Sequence, residues 1–136
     1  MSLYASKRVS ETPLHGDLVA SLMSAIATDL ASVTHVAGRR EYPDPPAVGR
    51  HEPDVYVLTD EGLLVLGEAK IGPDLDDQHA REQIEDFSQA RGANGERAMF
   101  WLCVPAGWTD AAWKAIDNCG ERHHRVDVLT VTIAAP

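Results

Sequence analysis

The eighteen residues from Pro53 to Lys70, PDVYVLTDEGLLVLGEAK, decide how this chain is to be read. Two runs rich in β-branched and aliphatic residues, Pro53 to Thr59 and Leu63 to Ala69, flank Asp60-Glu61-Gly62. Such a three-residue connection, with glycine where a left-handed backbone is wanted, predicts a β-hairpin. Apolar residues fill both alternating sets of positions: Val55, Val57, Leu63 and Val65 on one, Tyr56, Leu58, Leu64 and Leu66 on the other. A half-solvated hairpin would alternate apolar with polar, so this one belongs at the centre of a sheet covered on both faces.

Working outward, Thr12-Pro13 reads as an N-cap followed by proline at the first helical position. Leu14, Leu18, Leu22, Ile26 and Leu30 then recur at helical spacing, which predicts an amphipathic helix from Pro13 to about Ala31. Thr34 to Tyr42 is a candidate edge strand, and the proline-rich Tyr42 to Gly49 is a loop. Beyond the hairpin, Asp76 to about Arg91 reads as a helix with acidic residues in its first turn and Ala80, Ile84 and Phe87 inward. A buried strand at Ala98 to Val104, a helix from Thr109 to about Asn118 and a last strand at Val126 to Ile133 complete the order αβββαβαβ. That order predicts an α/β fold with a central mixed sheet flanked by helices, in one domain spanning residues 1–136.

The chain has 136 residues, 12 Lys plus Arg against 21 Asp plus Glu, and a net charge of -9. No apolar run is long enough to cross a bilayer, and no apolar segment with a cleavage site marks the N-terminus, so a cytoplasmic location is expected. Two cysteines, Cys103 and Cys119, fit a reducing compartment better than a disulfide framework. The charge opposes a nonspecific nucleic-acid coat, because duplex affinity comes mainly from Lys and Arg displacing counterions. An enzyme needs only a local basic patch, for which Arg39, Arg40, Arg50, Arg81 and Arg91 are the candidates.

Facing residues of an antiparallel hairpin have numbers of constant sum. Pairing Thr59 with Leu63 across the turn makes that sum 122 and sets Asp54 opposite Glu68. Opposed side chains on one sheet face have Cβ atoms roughly 4.5 to 5.5 Å apart, close enough for two carboxylates to share a cation. Lys70, two residues on, points to the same face. From spacing alone two readings stand: a metal or acid/base site, or an exposed strand end.

Pro53-Asp54, a hairpin, then Glu68-Ala69-Lys70 resembles the PD-(D/E)XK signature of restriction-endonuclease-like nucleases, and the helix before it and the helix-strand succession after it are similar to that family's core. The resemblance implies a nuclease that hydrolyses phosphodiester bonds, with DNA as the expected partner and Asp54, Glu68 and the carbonyl of Ala69 holding Mg²⁺ or Mn²⁺. It implies that Lys70 orients or activates the attacking water. Gln83-Ile-Glu-Asp-Phe87 looks like the glutamine-plus-aromatic helix motif of the recombination-exonuclease branch, which makes Gln83 a site residue; an ordinary boundary glutamine is the competing reading. The acidic residue that the family places on its first helix corresponds to Asp17, with Glu11 as the alternative and a solvated helix residue as the plain reading. His15 reads as a first-turn surface histidine.

Cys119, His123 and His124 lack the further ligands a zinc site needs, and Asp74-Leu-Asp76-Asp77 fits helix capping better than a calcium loop. A catalytically silent module that keeps the nuclease fold and binds a protein or nucleic-acid partner is the second functional reading, and the acidic balance favours a homodimer or partner that helps to grip a duplex.

Overall fold

A computed structural model describes residues 13–27, 32–120 and 125–132. Its elements are α1 (Pro13–Ala27), β1 (Ser32–Val36), β2 (Val55–Thr59), β3 (Leu64–Ala69), a short 3₁₀ helix (Gly72–Asp76), α2 (Gln78–Gln89), β4 (Met99–Pro105), α3 (Thr109–Asn118) and β5 (Val126–Val131). Thr12, Glu11, residues 28–31, His123, His124 and Ile133 lie outside the described residues.

The five strands form one mixed sheet in the order β1-β2-β3-β4-β5. β1, β2 and β3 are antiparallel neighbours, whereas β3, β4 and β5 run parallel. The hairpin has the expected register: Val55 faces Gly67, Tyr56 faces Leu66, Val57 faces Val65 and Leu58 faces Leu64, each pair summing to 122. Its turn closes as the residue types require. Gly62 takes φ +85, the Thr59 and Gly62 amides donate to Leu63 and Thr59 carbonyls (both 2.9 Å), and Thr59 Oγ1 accepts from the Leu63 amide at 3.0 Å.

Both faces of the sheet are covered. On one, Leu18, Val19, Leu22 and Ile26 of α1 pack on Val36, Val55, Val57, Val65, Ala69 and Cys103. On the other, Ile84 and Phe87 of α2 and Ala112, Ala115 and Ile116 of α3 pack on Leu64, Leu66, Phe100, Leu102 and Val104; Phe87 meets Phe100 edge to face, ring centroids 5.7 Å apart. Each large side chain so buried contributes roughly 1.5–3 kcal/mol, and the parallel strands, apolar on both sides, could not stand in water.

Two elements, the edge strand and the helix after the hairpin, have bounds that differ from the expected ones at both ends. The edge strand is Ser32–Val36 rather than Thr34–Tyr42, because Gly38 turns the backbone into positive φ (72°) and the Val36 amide goes to the Pro43 carbonyl. The helix expected from Asp76 starts at Gln78: Asp77 is its N-cap, its Oδ1 accepting from the Ala80 amide at 2.7 Å, while Asp74 and Asp76 belong to the 3₁₀ turn. It also ends at Gln89, short of Arg91, since the Ala90 carbonyl is taken by the Ala98 amide at the start of the next strand.

Gly67 permits the close seating of α1 on β3. A Cβ there would lie 2.9 Å from Ile26 Cδ1 and 3.2–3.3 Å from the Leu22 methyls. Gly67→Val is expected to lower the unfolding free energy by about 1–3 kcal/mol through overpacking, measured by urea denaturation; an unchanged midpoint would contradict the close contact.

Candidate active site

The regular hairpin ladder stops at Asp54, for a reason written in the sequence. The register would make Pro53 and Ala69 the next hydrogen-bonded pair, and proline has no N–H to donate. Asp54 closes the ladder with its side chain: Oδ2 accepts the Ala69 amide at 2.9 Å. The Asp54 backbone twists to allow this, its amide donating towards β3 (Gly67 carbonyl, 3.0 Å) while its carbonyl accepts from Ala37 on the β1 side at 2.9 Å. In a regular strand both groups of one residue point the same way, so the ladder becomes irregular at Asp54 itself.

Glu68 is fixed by the same bend. Its Oε1 accepts the Asp54 amide at 3.2 Å and its Oε2 accepts from Gln83 Nε2 of α2 at 3.1 Å. Lys70 Nζ lies 3.7 Å from Oε2, with its side chain only 11% exposed. Asp54 and Glu68 are 0% and 3% exposed. Two buried carboxylates joined through one backbone amide are costly unless hydrogen-bonded and counter-charged. The site supplies amide donors, one ammonium and an amide side chain.

Gln83 lies on the buried face of α2, its amide bonded to Glu68. Its Oε1 is buried with no hydrogen-bond partner among the described residues. The carboxylate at Nε2 sets the orientation of the amide and leaves this oxygen with accepting capacity.

Asp17 is exposed on α1, and the first-helix residue brought to the carboxylates is His15, whose Nε2 lies 3.3 Å from Asp54 Oδ2 with the side chain 20% exposed. The surface-histidine reading is corrected on this point. Helical spacing carried the signal: His15 is three, four and seven residues before Leu18, Val19 and Leu22, on the buried stripe, while Asp17 shares its face with exposed or half-buried Ser21 and Ser24.

Cys103 lies opposite Ala69 across the parallel pair. Burial, and after it the charge of Asp54, push its thiol up to about 12, and its Sγ donates to the Leu18 carbonyl at 3.6 Å. It is a neutral core residue and no nucleophile.

The loop before Pro53 is clamped to α2. Arg50 binds Asp86 through Nη2–Oδ1 (2.9 Å) and Nε–Oδ2 (3.1 Å) and reaches Glu85 at 3.3 Å, while His51 Nε2 meets Glu82 Oε1 at 3.0 Å. The His51 and His79 rings pack edge to face, centroids 4.2 Å apart. Of the five arginines expected to form a basic patch, Arg50 is thus offset by carboxylates, and Arg39 and Arg91 bond the carbonyls of Gly16 and Gly95. Among the described residues no group of three or more His, Cys, Asp or Glu side chains is placed to hold a metal ion, and no helix is long and apolar enough to cross a membrane.

No family model, curated protein or solved structure matches the chain.

The clamp has a pH signature. Burial, then the Lys70 charge, hold His79 below its ordinary 6.5. The hydrogen bond from His51 holds Glu82 below 4.5. For Asp86 burial opposes ionisation, yet the Arg50 hydrogen bonds prevail and hold it below 3.8. All three take up protons less readily folded than unfolded, so stability is complete above the unfolded values and is lost as pH falls through the folded ones. Melting temperature is expected to begin falling below about pH 6.5, His79's ordinary value, and to fall further below about pH 4.5, Glu82's. His79→Gln removes the upper step; a melting curve identical to wild type between pH 7 and pH 5 would contradict it.

Proposed function

We propose that the chain is a metal-dependent phosphodiesterase of the PD-(D/E)XK nuclease type, cutting nucleic acid, with DNA as the first substrate to test. The observation that carries this reading is the buried convergence of Asp54, Glu68 and Lys70 at the end of the central hairpin, tied to Gln83. The αβββαβαβ element order is compatible with that family's core.

The residues fit a hard divalent cation by their chemistry. Two carboxylates lie buried side by side, the Gln83 amide oxygen lacks a hydrogen-bond partner among the described residues, and Pro53 offers no N–H to the Ala69 carbonyl. Asp54, Glu68 and the Ala69 carbonyl would hold Mg²⁺ or Mn²⁺, an all-oxygen set suited to such ions. When bound, the ion lowers the pKa of a coordinated water and neutralises charge on the phosphate.

The chain's own groups do the rest. The Ala69 amide and Gln83 hold the two carboxylates in place, so they need no reorganisation when substrate arrives. Lys70, tethered by Glu68, presents its ammonium beside them, where it orients the attacking water and opposes the charge that develops on the phosphoryl oxygens. His15 steadies Asp54 from the α1 side.

The net charge of -9 and the internal pairing of Arg50 favour a second reading, a silent module on the same fold that binds a partner. Cleavage of single-stranded, double-stranded and branched DNA with Mg²⁺ or Mn²⁺ separates the two. Wild type is expected to cut at least one of these, and Lys70→Ala to lower kcat by about a hundredfold to a thousandfold. Equal cleavage by the variant would overturn the role of Lys70, and no metal-dependent cleavage of any substrate would leave the silent module.

A further inference from the structure

Trp108 is the one large apolar side chain that stands exposed among the described residues, at 38%. It is not a loose surface residue. Its amide donates to the Pro105 carbonyl at 3.2 Å and its carbonyl accepts from Ala112 at 2.9 Å, which fixes the turn between β4 and α3. Its indole lies against Gly72, a buried glycine where any Cβ would collide with the ring. The ring is thus seated on backbone while the residue stays partly open to solvent.

Its place in the fold matters more. β3 and β4 are parallel neighbours, so their C-terminal ends share one edge of the sheet, the edge where α/β sheets place their ligands. Lys70 leaves the end of β3 and Trp108 follows the end of β4. Gly72, which carries the ring, is two residues after Lys70, a reach of at most about 7 Å of extended chain. A partly exposed aromatic ring therefore stands at the same end of the sheet as the proposed cleavage site, against the residue two beyond Lys70.

The charge of the chain gives that ring a task. At -9, with Arg50 paired internally, the protein is poorly equipped to hold a polynucleotide by displacing counterions. Asp74 and Asp110 lie two residues from Gly72 and Trp108 respectively, so a phosphate is disfavoured there. Uncharged contact has to supply the affinity, and a nucleobase stacking on indole does so without regard to sequence. Duplex bases already stack on their neighbours, and only an unpaired base offers a free face.

Building on the nuclease reading, we propose that the site takes single-stranded nucleic acid, with a base next to the scissile phosphate stacked on Trp108. The indole acts as a binding platform and touches no reacting atom.

The test is a titration of the whole chain with oligothymidylate in EDTA, read by tryptophan fluorescence and by anisotropy of a labelled oligonucleotide, beside cleavage assays with Mn²⁺. Wild type is expected to be quenched on binding, and Trp113→Phe to keep the quench. Trp108→Phe, which still covers Gly72, is expected to lose most of it, and Trp108→Ala to bind about tenfold more weakly, as a lost stacked base would. Oligothymidylate that does not bind, or that binds Trp108→Ala as tightly as wild type, overturns the proposal even if DNA is cut. Quenching by a Lys- and Arg-rich peptide in place of oligothymidylate overturns it as well. A Trp108-dependent quench without metal-dependent cleavage upholds the stacking site and removes the nuclease reading instead.

Discussion

The hydrogen bond from the Ala69 amide to Asp54 Oδ2 is the contact on which the rest of the site depends. Beyond Val55 the Ala69 amide goes to a side-chain carboxylate where a regular ladder would offer the Pro53 carbonyl, and that carboxylate is buried where the hairpin ends. The Asp54 amide is thereby turned towards Glu68 Oε1. Glu68 in turn orients Lys70 and Gln83. One carboxylate–amide bond at the end of the hairpin thus joins Asp54 to a set that includes Glu68, Lys70 and Gln83 of the neighbouring helix. Buried carboxylates of this kind destabilise a fold unless they are fully bonded.

Much of this was legible in the sequence because a hairpin's register follows from its turn. Gly62 set the turn, the turn set the sum of 122 that holds from Leu58–Leu64 to Val55–Gly67, and that sum pointed to Asp54 beside Glu68. The two-sided apolar pattern of the strands foretold cover on both faces, whereas Gln83 was singled out by its resemblance to a helix motif. What was not legible depended on how the layers meet. His15 reaches Asp54 only because Gly67 lets α1 sit close on β3, a distance that periodicity does not encode. Trp108 lies on Gly72 through a contact between residues 36 apart in the chain. The early end of β1 rests on a single positive-φ glycine, Gly38, in a segment without strong patterning.

The acidic balance, which argued against nucleic acid at the level of composition, acquires a physical form in the fold. Part of it lies in the clamp that draws Glu82, Glu85 and Asp86 onto Arg50 and His51 and pins the proline-rich loop beside the hairpin. Part lies in the site itself, where two carboxylates outnumber the single lysine. A site of that composition gains from a divalent cation and has little with which to attract a bare phosphate backbone, so the cation and an aromatic contact carry the recognition in this account.

The central claim is that Asp54 and Glu68 share one divalent cation. Titrating Mn²⁺ into the protein and following free Mn²⁺ by electron paramagnetic resonance tests it without any substrate. The account expects one saturable site per chain, lost in Asp54→Asn and in Glu68→Gln while both variants keep the wild-type far-ultraviolet circular dichroism. Undiminished binding by folded Asp54→Asn and Glu68→Gln, or no saturable binding by wild type, would contradict it.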